Sequence, residues 1–324
     1  MKVEIVNKQS TRYPVLAGFI EKHNLLFNSA AWLNNYDLTA LTQCAILNNN
    51  NEVIGCFIYY TFKKASFNFV ISPPYAPNIE LFYVNPSESV VGRNTFNKEI
   101  SDLLADYFIS LNKHYVNINL PETIIDTQPF TWKGFTSRLR YSYIIHLSKS
   151  KEELWDNLSS EKRKSVNKAI KDELEVKETT DKELVYSLVI KSLDRNGKSK
   201  NIEIIRKILF SFSKPQNSYS FVAYHKNVPI GTSFCVINKN KAMYLFGGFD
   251  SENKHHGAGV SCMWQSILKA KDLNLQYFDF EGSMNETIER YFREFGGDMI
   301  QYACVEKINP ILKTMLTLTK RNTL

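Results

Sequence analysis

Three short groups near the end of the chain carry residues at spacings that can do chemistry. The first is Lys254-His255-His256-Gly257-Ala258-Gly259, a turn that opens a helix predicted over 260–273. Small residues at a helix start let successive backbone N–H groups face a phosphate, and the helix dipole favours negative charge there. Gly257 and Gly259 suit a pyrophosphate on that ground. They suit equally a plain helix start in which two glycines relieve a tight approach to the sheet. The second group, Asp279-Phe280-Glu281-Gly282-Ser283, ends a strand. Ligands of open α/β sheets collect beyond the carboxyl ends of strands. Glu281 is therefore placed to take a proton from an attacking amine, directly or through water. Its competing use is a pair with Arg290 or Arg293. Asp279 shares the face of Glu281 if the strand stays regular. Ser283 is predicted to cap the next helix, with Glu286 completing the box. The third group is Arg290, Tyr291 and Arg293 on a short aromatic helix that stops at Gly296-Gly297. A guanidinium there can hold a phosphate or an acidic acceptor. Tyr291, Phe292 and Phe295 can equally pack the helix on the sheet.

A fourth group lies upstream. Lys162, Arg163, Lys164, Lys168 and Lys171 crowd one predicted helix, and Lys164, Lys168 and Lys171 share a face at i, i+4 and i+7. That face can wall a groove for an anionic acceptor or an RNA; such a run is also the ordinary make-up of a solvated face. Arg195 and Lys198 fall in a predicted loop, where binding residues gather. His255-His256 reads as exposed turn chemistry rather than a metal site. No Ser/His/Asp order or reactive cysteine context stands out.

The elements that must position these groups occur twice. Residues 44–60 and 220–237 each read as a hairpin, with Gly55 and Gly231 in matching places. Each hairpin leads to a helix, 94–113 in the first half and 260–273 in the second. Each helix is followed by a strand, an aromatic-glycine segment and a closing strand, 141–146 and 301–305. The spacing predicts two copies of one mixed α/β unit. Between them, Ser150 and Glu153 have capping-box spacing, and further helices are predicted over 181–193 and 202–211. The first copy has Gly92-Arg93-Asn94 where the second has its glycine turn, so it reads as an acceptor-side or structural partner.

The 324 residues suffice for two domains with their own cores. No run of eighteen apolar residues exists, and the N-terminus lacks a signal-peptide pattern. Five scattered cysteines point to reduced thiols and a cytoplasmic location. No Cys/His spacing fits zinc. A net charge of +7 favours acidic partners such as coenzyme A, nucleotide-linked precursors or tRNA.

The order strand, glycine turn, helix, strand, aromatic helix, strand resembles the core of GNAT acyltransferases. The duplication, the basic helix, and Phe278-Asp279-Phe280-Glu281-Gly282-Ser283 followed by Tyr291-Phe292-Arg293-Glu294-Phe295-Gly296 resemble the Fem-like branch. That branch includes peptidoglycan-bridge aminoacyltransferases and acyltransferases linked to envelope polysaccharides. The resemblance implies an α/β fold with a mixed sheet, in two tandem GNAT-like domains. These would span 1–147 and 148–324, the second with a basic helical insertion near 150–212. It implies transfer of an acyl or aminoacyl group to an amine or hydroxyl of an envelope precursor. Lys254 stands where GNAT enzymes place Arg or Gln. Together with Gly257, Gly259 and Phe249 it would hold the carrier. Acyl-CoA is the implied cofactor, aminoacyl-tRNA the alternative carrier, and no metal is implied. Tyr291 would protonate the leaving group, with Glu281 and Arg293 completing the catalytic set. Arg195, Lys164 and Arg290 would meet the acceptor in the cleft between domains. Backbone N–H groups from Gly247 to Phe249 would stabilise the oxyanion. Two departures stand out: the spacing leaves no room for the long helical arm of the peptidyltransferases, and Arg293 or Phe292 replaces their lysine on the aromatic helix. The rivals are tRNA-dependent peptidyl transfer to a peptidoglycan precursor and a binding module that kept the fold.

Overall fold

Both hairpins read from the sequence form, and each seeds a sheet of the same design. The computed structural model describes residues 1–195, 201–253 and 255–318, without the side chains of residues 194 and 195. Its contacts divide the chain into two units, Met1–Arg140 with Gln301–Leu324, and Tyr141–Ile300.

The first unit contains β1 (Lys2–Ile5), α1 (Tyr13–Lys22), α2 (Ala30–Leu33), β2 (Leu41–Leu47), β3 (Val53–Lys64), β4 (Phe67–Ile71), β5 (Phe82–Tyr83), α3 (Val90–Ser110), β6 (Tyr115–Asn119) and α4 (Gln128–Trp132). The chain passes into the second unit within β7 (Thr136–His146). There follow α5 (Lys151–Asn157), α6 (Ser160–Lys171), β8 (Glu175–Glu178), α7 (Lys182–Arg195), α8 (Ile202–Lys207) and a π-helical turn at Ile208–Phe212. Then come β9 (Ser218–His225), β10 (Val228–Asn238), β11 (Lys241–Phe249), α9 (Ala258–Asp272), β12 (Tyr277–Asp279) and α10 (Glu286–Arg293). The chain returns to the first unit within β13 (Asp298–Ile308) and ends in α11 (Pro310–Leu318).

Within the first unit the strand order is β1-β2-β3-β4-β6-β13; within the second it is β8-β9-β10-β11-β12-β7. In both, three antiparallel pairs precede one parallel pair and a final antiparallel one. The repeated topology matches the expected tandem fold. The predicted division at residue 147 placed 301–324 in the second half. Those residues fold with the first unit, because β13 pairs with β6 from Cys304 to Ile308. The sheet that opens the chain thus closes on its last strand, which no local pattern reveals.

Each sheet buries its own core. Phe57, Phe108, Phe130, Ile118 and Val305 fill the first, and Phe278, Phe280, Phe295, Ile267 and Cys262 the second. Burying one such aromatic or aliphatic side chain contributes about 1.5–3 kcal/mol. All five cysteines are free and buried. Burial pushes the thiols of Cys44, Cys235 and Cys262 up to about 12, so none is poised as a thiolate nucleophile at neutral pH. Among the described residues, no helix is long and apolar enough to cross a membrane, and no cluster could hold a metal ion.

Local signals set the helices around the site. Ser150 and Glu153 form the expected capping box of α5. α6 starts at Ser160, capped by Ser159. α7 extends to Arg195, so that residue ends a helix instead of lying in a loop. α7 crosses β11 so closely that a Cβ on Gly248 would stand 2.3 Å from the Leu188 carbonyl oxygen.

Candidate active site

The site begins where two strands part. β12 pairs with β11 over only three residues, ending at Met243 opposite Asp279. β11 itself continues to Phe249 against β10, where Phe249 faces Gly231. Between the pairs Phe234–Phe246 and Cys235–Tyr244, Leu245 is an extra residue, a bulge that bends β11 at the parting. Backbone groups beyond Met243 on that edge lie outside the parallel pairing. The Tyr244 hydroxyl lies against Gly247: a Cβ there would be 1.7 Å from its oxygen. A glycine at 247 is what admits the tyrosine.

The glycine turn stands at the start of α9. Gly257 is its N-cap and has no side chain to cap with. The Gly257 N–H donates to Nδ1 of His255 at 3.1 Å, and the Ala258 N–H to the His255 carbonyl at 3.1 Å. His255 Nε2 bonds Asp172 Oδ2 at 3.0 Å, and Asp172 also holds Lys168 at 3.0 Å. With Nδ1 accepting, a neutral ring carries its proton on Nε2 and donates it to Asp172. His255 is therefore a buried brace rather than the exposed turn residue expected; His256 alone is exposed. A Cβ on Gly257 would lie 2.7 Å from both the Ser165 carbonyl oxygen and the Ala169 methyl. The glycine is needed for contact with α6, not with the sheet. A pyrophosphate requires free, accessible N–H groups at such a turn. Here two are taken by His255 and the Gly257 side is covered by α6. His255 thus leaves a pyrophosphate fewer N–H groups at this turn than the two glycines suggest. Lys254 lies outside the described residues.

Tyr291 lies over the other glycine: a Cβ on Gly259 would be 3.6 Å from its hydroxyl oxygen. Its ring packs edge-on against Phe295, at 5.3 Å between centroids. On the ring sits Lys162 of α6, with Nζ 3.9 Å from the centroid and 3.1 Å from Glu294 Oε2. Lys162 is only 6% exposed, and burial lowers its pKa against the opposing pull of Glu294. Burial likewise pushes the Tyr291 phenol well above its usual value. The sequence names Lys162 in the basic helix but draws the binding face from 164, 168 and 171, and that stripe faces solvent. A signal was present. Lys162 falls at i, i+4 and i+7 with Val166 and Ala169, the apolar face of α6.

The remaining predicted residues lie on separate elements. Arg290 and Arg293 are held along α10, Arg293 Nε by Glu289 at 2.9 Å and Arg290 Nε by Glu294 at 3.1 Å. Arg290 also reaches Glu161 of α6 at 3.7 Å. Glu281 stands at the end of β12 with φ +61°, followed by Gly282 at +68°. Its backbone N–H donates to Asp279 Oδ1 at 2.9 Å. Asp279 is 5% exposed and receives Ser142 Oγ at 2.8 Å and Lys241 Nζ at 3.0 Å, so it braces the strand end. The left-handed residue breaks the alternation on which Asp279 and Glu281 were expected to share a face. Asn285, not Ser283, caps α10, accepting from the N–H groups of Thr287 and Ile288. Phe249 is 37% exposed at the end of β11, Lys164 is exposed on α6, and the Arg195 side chain lies outside the description.

The Tyr143 hydroxyl, then Arg293, hold the Glu289 carboxyl below the usual carboxylate range. Because folding lowers this pKa, its stabilisation is complete above the unfolded value of about 4.3 and is lost as pH falls through the folded one. Melting curves of the wild type and Glu289→Gln should differ at pH 7 and converge near pH 3. A gap that persists at low pH would contradict the ion-pair reading of α10.

The family model for an acetyltransferase (GNAT) domain matches residues 162–293. No curated protein matches the chain. Among solved structures, FemX superposes with a TM-score of 0.65 at 13% identity, over 98% of this chain and 99% of its own. A tandem GNAT protein from the clavulanic acid biosynthesis pathway gives 0.53 at 11% identity, over 94% and 98%. L-PGS from Bacillus licheniformis gives 0.53 at 9% identity, over 98% of each chain.

Proposed function

We propose that this chain, whose residues 162–293 match a GNAT acetyltransferase domain and whose fold is like that of FemX and a tandem GNAT protein, is an acyltransferase that moves an aminoacyl or acyl group from an ester-linked carrier to an amine or hydroxyl of a cell-envelope precursor, in the cytoplasm. The envelope acceptor rests on the Fem-like resemblance, to which the likeness to FemX and L-PGS adds. The observation that carries the choice of carrier is the glycine turn. His255 takes its first two N–H groups and α6 covers Gly257. An acyl-CoA held by its pyrophosphate therefore suits this site less than a carrier bound elsewhere. The net charge of +7 suits a polyanionic carrier such as aminoacyl-tRNA.

The reaction is one acyl substitution. The acceptor nitrogen or oxygen bonds to the carrier's carbonyl carbon as the carbonyl–carrier bond breaks. Glu281, at the end of β12, takes the acceptor's proton. Tyr291 gives its phenolic proton to the leaving carrier oxygen, and burial keeps that phenol protonated at neutral pH. The β11 edge beyond Met243 offers backbone N–H groups to the oxyanion. Lys162 and Phe295 fix the Tyr291 ring, which makes Lys162 a positioning residue. Arg290 and Arg293 hold α10 against α6 and within itself.

The test is a donor comparison. The full chain is incubated with an acceptor such as a UDP-linked muropeptide and either labelled aminoacyl-tRNA or labelled acetyl-CoA. Label should move to the acceptor from aminoacyl-tRNA only, and more slowly as salt rises. Saturable transfer from acetyl-CoA would overturn the carrier assignment. Transfer from neither would overturn the proposed pairing of carrier and envelope acceptor.

A further inference from the structure

A cavity of about 410 Å³ opens at the edge of β9 in the second unit. Its wall includes Lys269, near the end of α9. At a rise of 1.5 Å per residue that is about 16 Å along the helix from the glycine turn at its start. None of Tyr291, Glu281, Lys162 and Gly259 lines it. The volume falls in the range of small-molecule sites.

The fold builds this space. β8 ends at Glu178, opposite Phe221, while β9 starts at Ser218. The start of β9, which β8 does not pair, forms one side. The π-helical turn Ile208–Phe212 forms another, and such turns widen a helix and recur at functional sites. Carbonyls at its end, Phe210 at 3.3 Å and Ser213 at 2.9 Å, accept from Lys182 Nζ. An ammonium has three protons, so a third remains. The floor is apolar, from Val185, Leu209 and Phe234, each at most 2% exposed. The rim is cationic: Lys182, Lys214 and Lys269 stand against one carboxylate, Glu178, which Lys269 holds at 2.8 Å.

We propose that this cavity is a binding site for a small amphiphilic carboxylate. Its hydrocarbon body lies on Val185, Leu209 and Phe234, and its carboxylate meets the ammonium groups of Lys182 and Lys214. An apolar floor alone would take any hydrocarbon. The excess of cations at the mouth selects the anion and rejects its cationic counterpart. The site is separate from the transferase centre and does not depend on which carrier or acceptor that centre uses.

Octanoate is the probe, with octanol and octylammonium as controls, titrated calorimetrically into the full chain. Octanoate should bind saturably at one equivalent, octanol about tenfold more weakly, and octylammonium not at all. Lys214→Glu, an exposed change, should weaken octanoate by about tenfold or more while leaving acyl transfer at the wild-type rate. Val185→Trp should abolish binding by filling the floor, and its melting curve reports whether it folds. Absence of saturable octanoate binding overturns the site. Octanol binding as tightly as octanoate, or Lys214→Glu binding octanoate undiminished, overturns the carboxylate.

Discussion

Tyr291→Phe should lower the rate of acyl transfer by about 10²–10⁴-fold, the usual worth of a positioned proton donor, while the protein stays folded. The substitution removes one oxygen. The ring keeps its contacts with Lys162, Phe292 and Phe295, so helix packing should survive and the melting temperature should move little. The hydroxyl it removes is the one that lies over Gly259. A proton delivered in the transition state should affect kcat and leave KM for the acceptor nearly unchanged. Because burial raises the phenol's pKa, the wild type should hold its activity well into alkaline pH instead of losing it near 10. Steady-state kinetics of both proteins from pH 6 to 10 decide the matter. A variant within threefold of wild type would remove Tyr291 from the chemistry and leave Tyr244, whose hydroxyl lies over Gly247, as the next donor to examine.

What the sequence showed and hid follows from the range of the forces involved. Period and capping are local, so the hairpins, the capping box of α5 and the helix that follows the glycine turn were all legible. The exchange of closing strands was not. β13 pairs with β6 far away in the chain, and nothing in residues 301–308 names that partner. The glycine turn is legible as a helix start, yet its chemistry depends on α6. Whether Gly257 serves a phosphate or a neighbouring helix is decided by Ser165 and Ala169, nearly ninety residues upstream. Lys162 was visible as a charge on an apolar face, a pattern that costs energy unless a partner compensates. The stripe 164, 168 and 171 drew attention because charges cluster there, but exposed clusters are the cheap arrangement. The buried Lys162 is the expensive one, and expense points to use.

Gly282→Ala should destabilise the protein by about 2–5 kcal/mol and disable the strand end that carries Glu281. Two causes add. Gly282 has φ +68°, a region that costs an L-residue roughly 1–2 kcal/mol. Its added Cβ would also stand 2.1 Å from the Tyr141 carbonyl oxygen and 3.0 Å from the Ser142 Cα. Both atoms are backbone, so neither can rotate away, and such overpacking costs about 1–3 kcal/mol. The strand must shift instead. Ser142 donates to Asp279 Oδ1, and Asp279 in turn receives the Glu281 N–H, so the shift should pass directly to Glu281. Glu281 already sits at φ +61°, a strained setting for a non-glycine residue that neighbours must enforce. Gly18→Ala is the matched control. It adds the same methyl in α1, where no atom lies within 4 Å, and it should be neutral or slightly stabilising because alanine favours a helix. Denaturant melts of the two variants give the comparison. Equal stability would show that the 281–282 corner relaxes freely, and a corner that relaxes freely cannot hold Glu281 in place as a base.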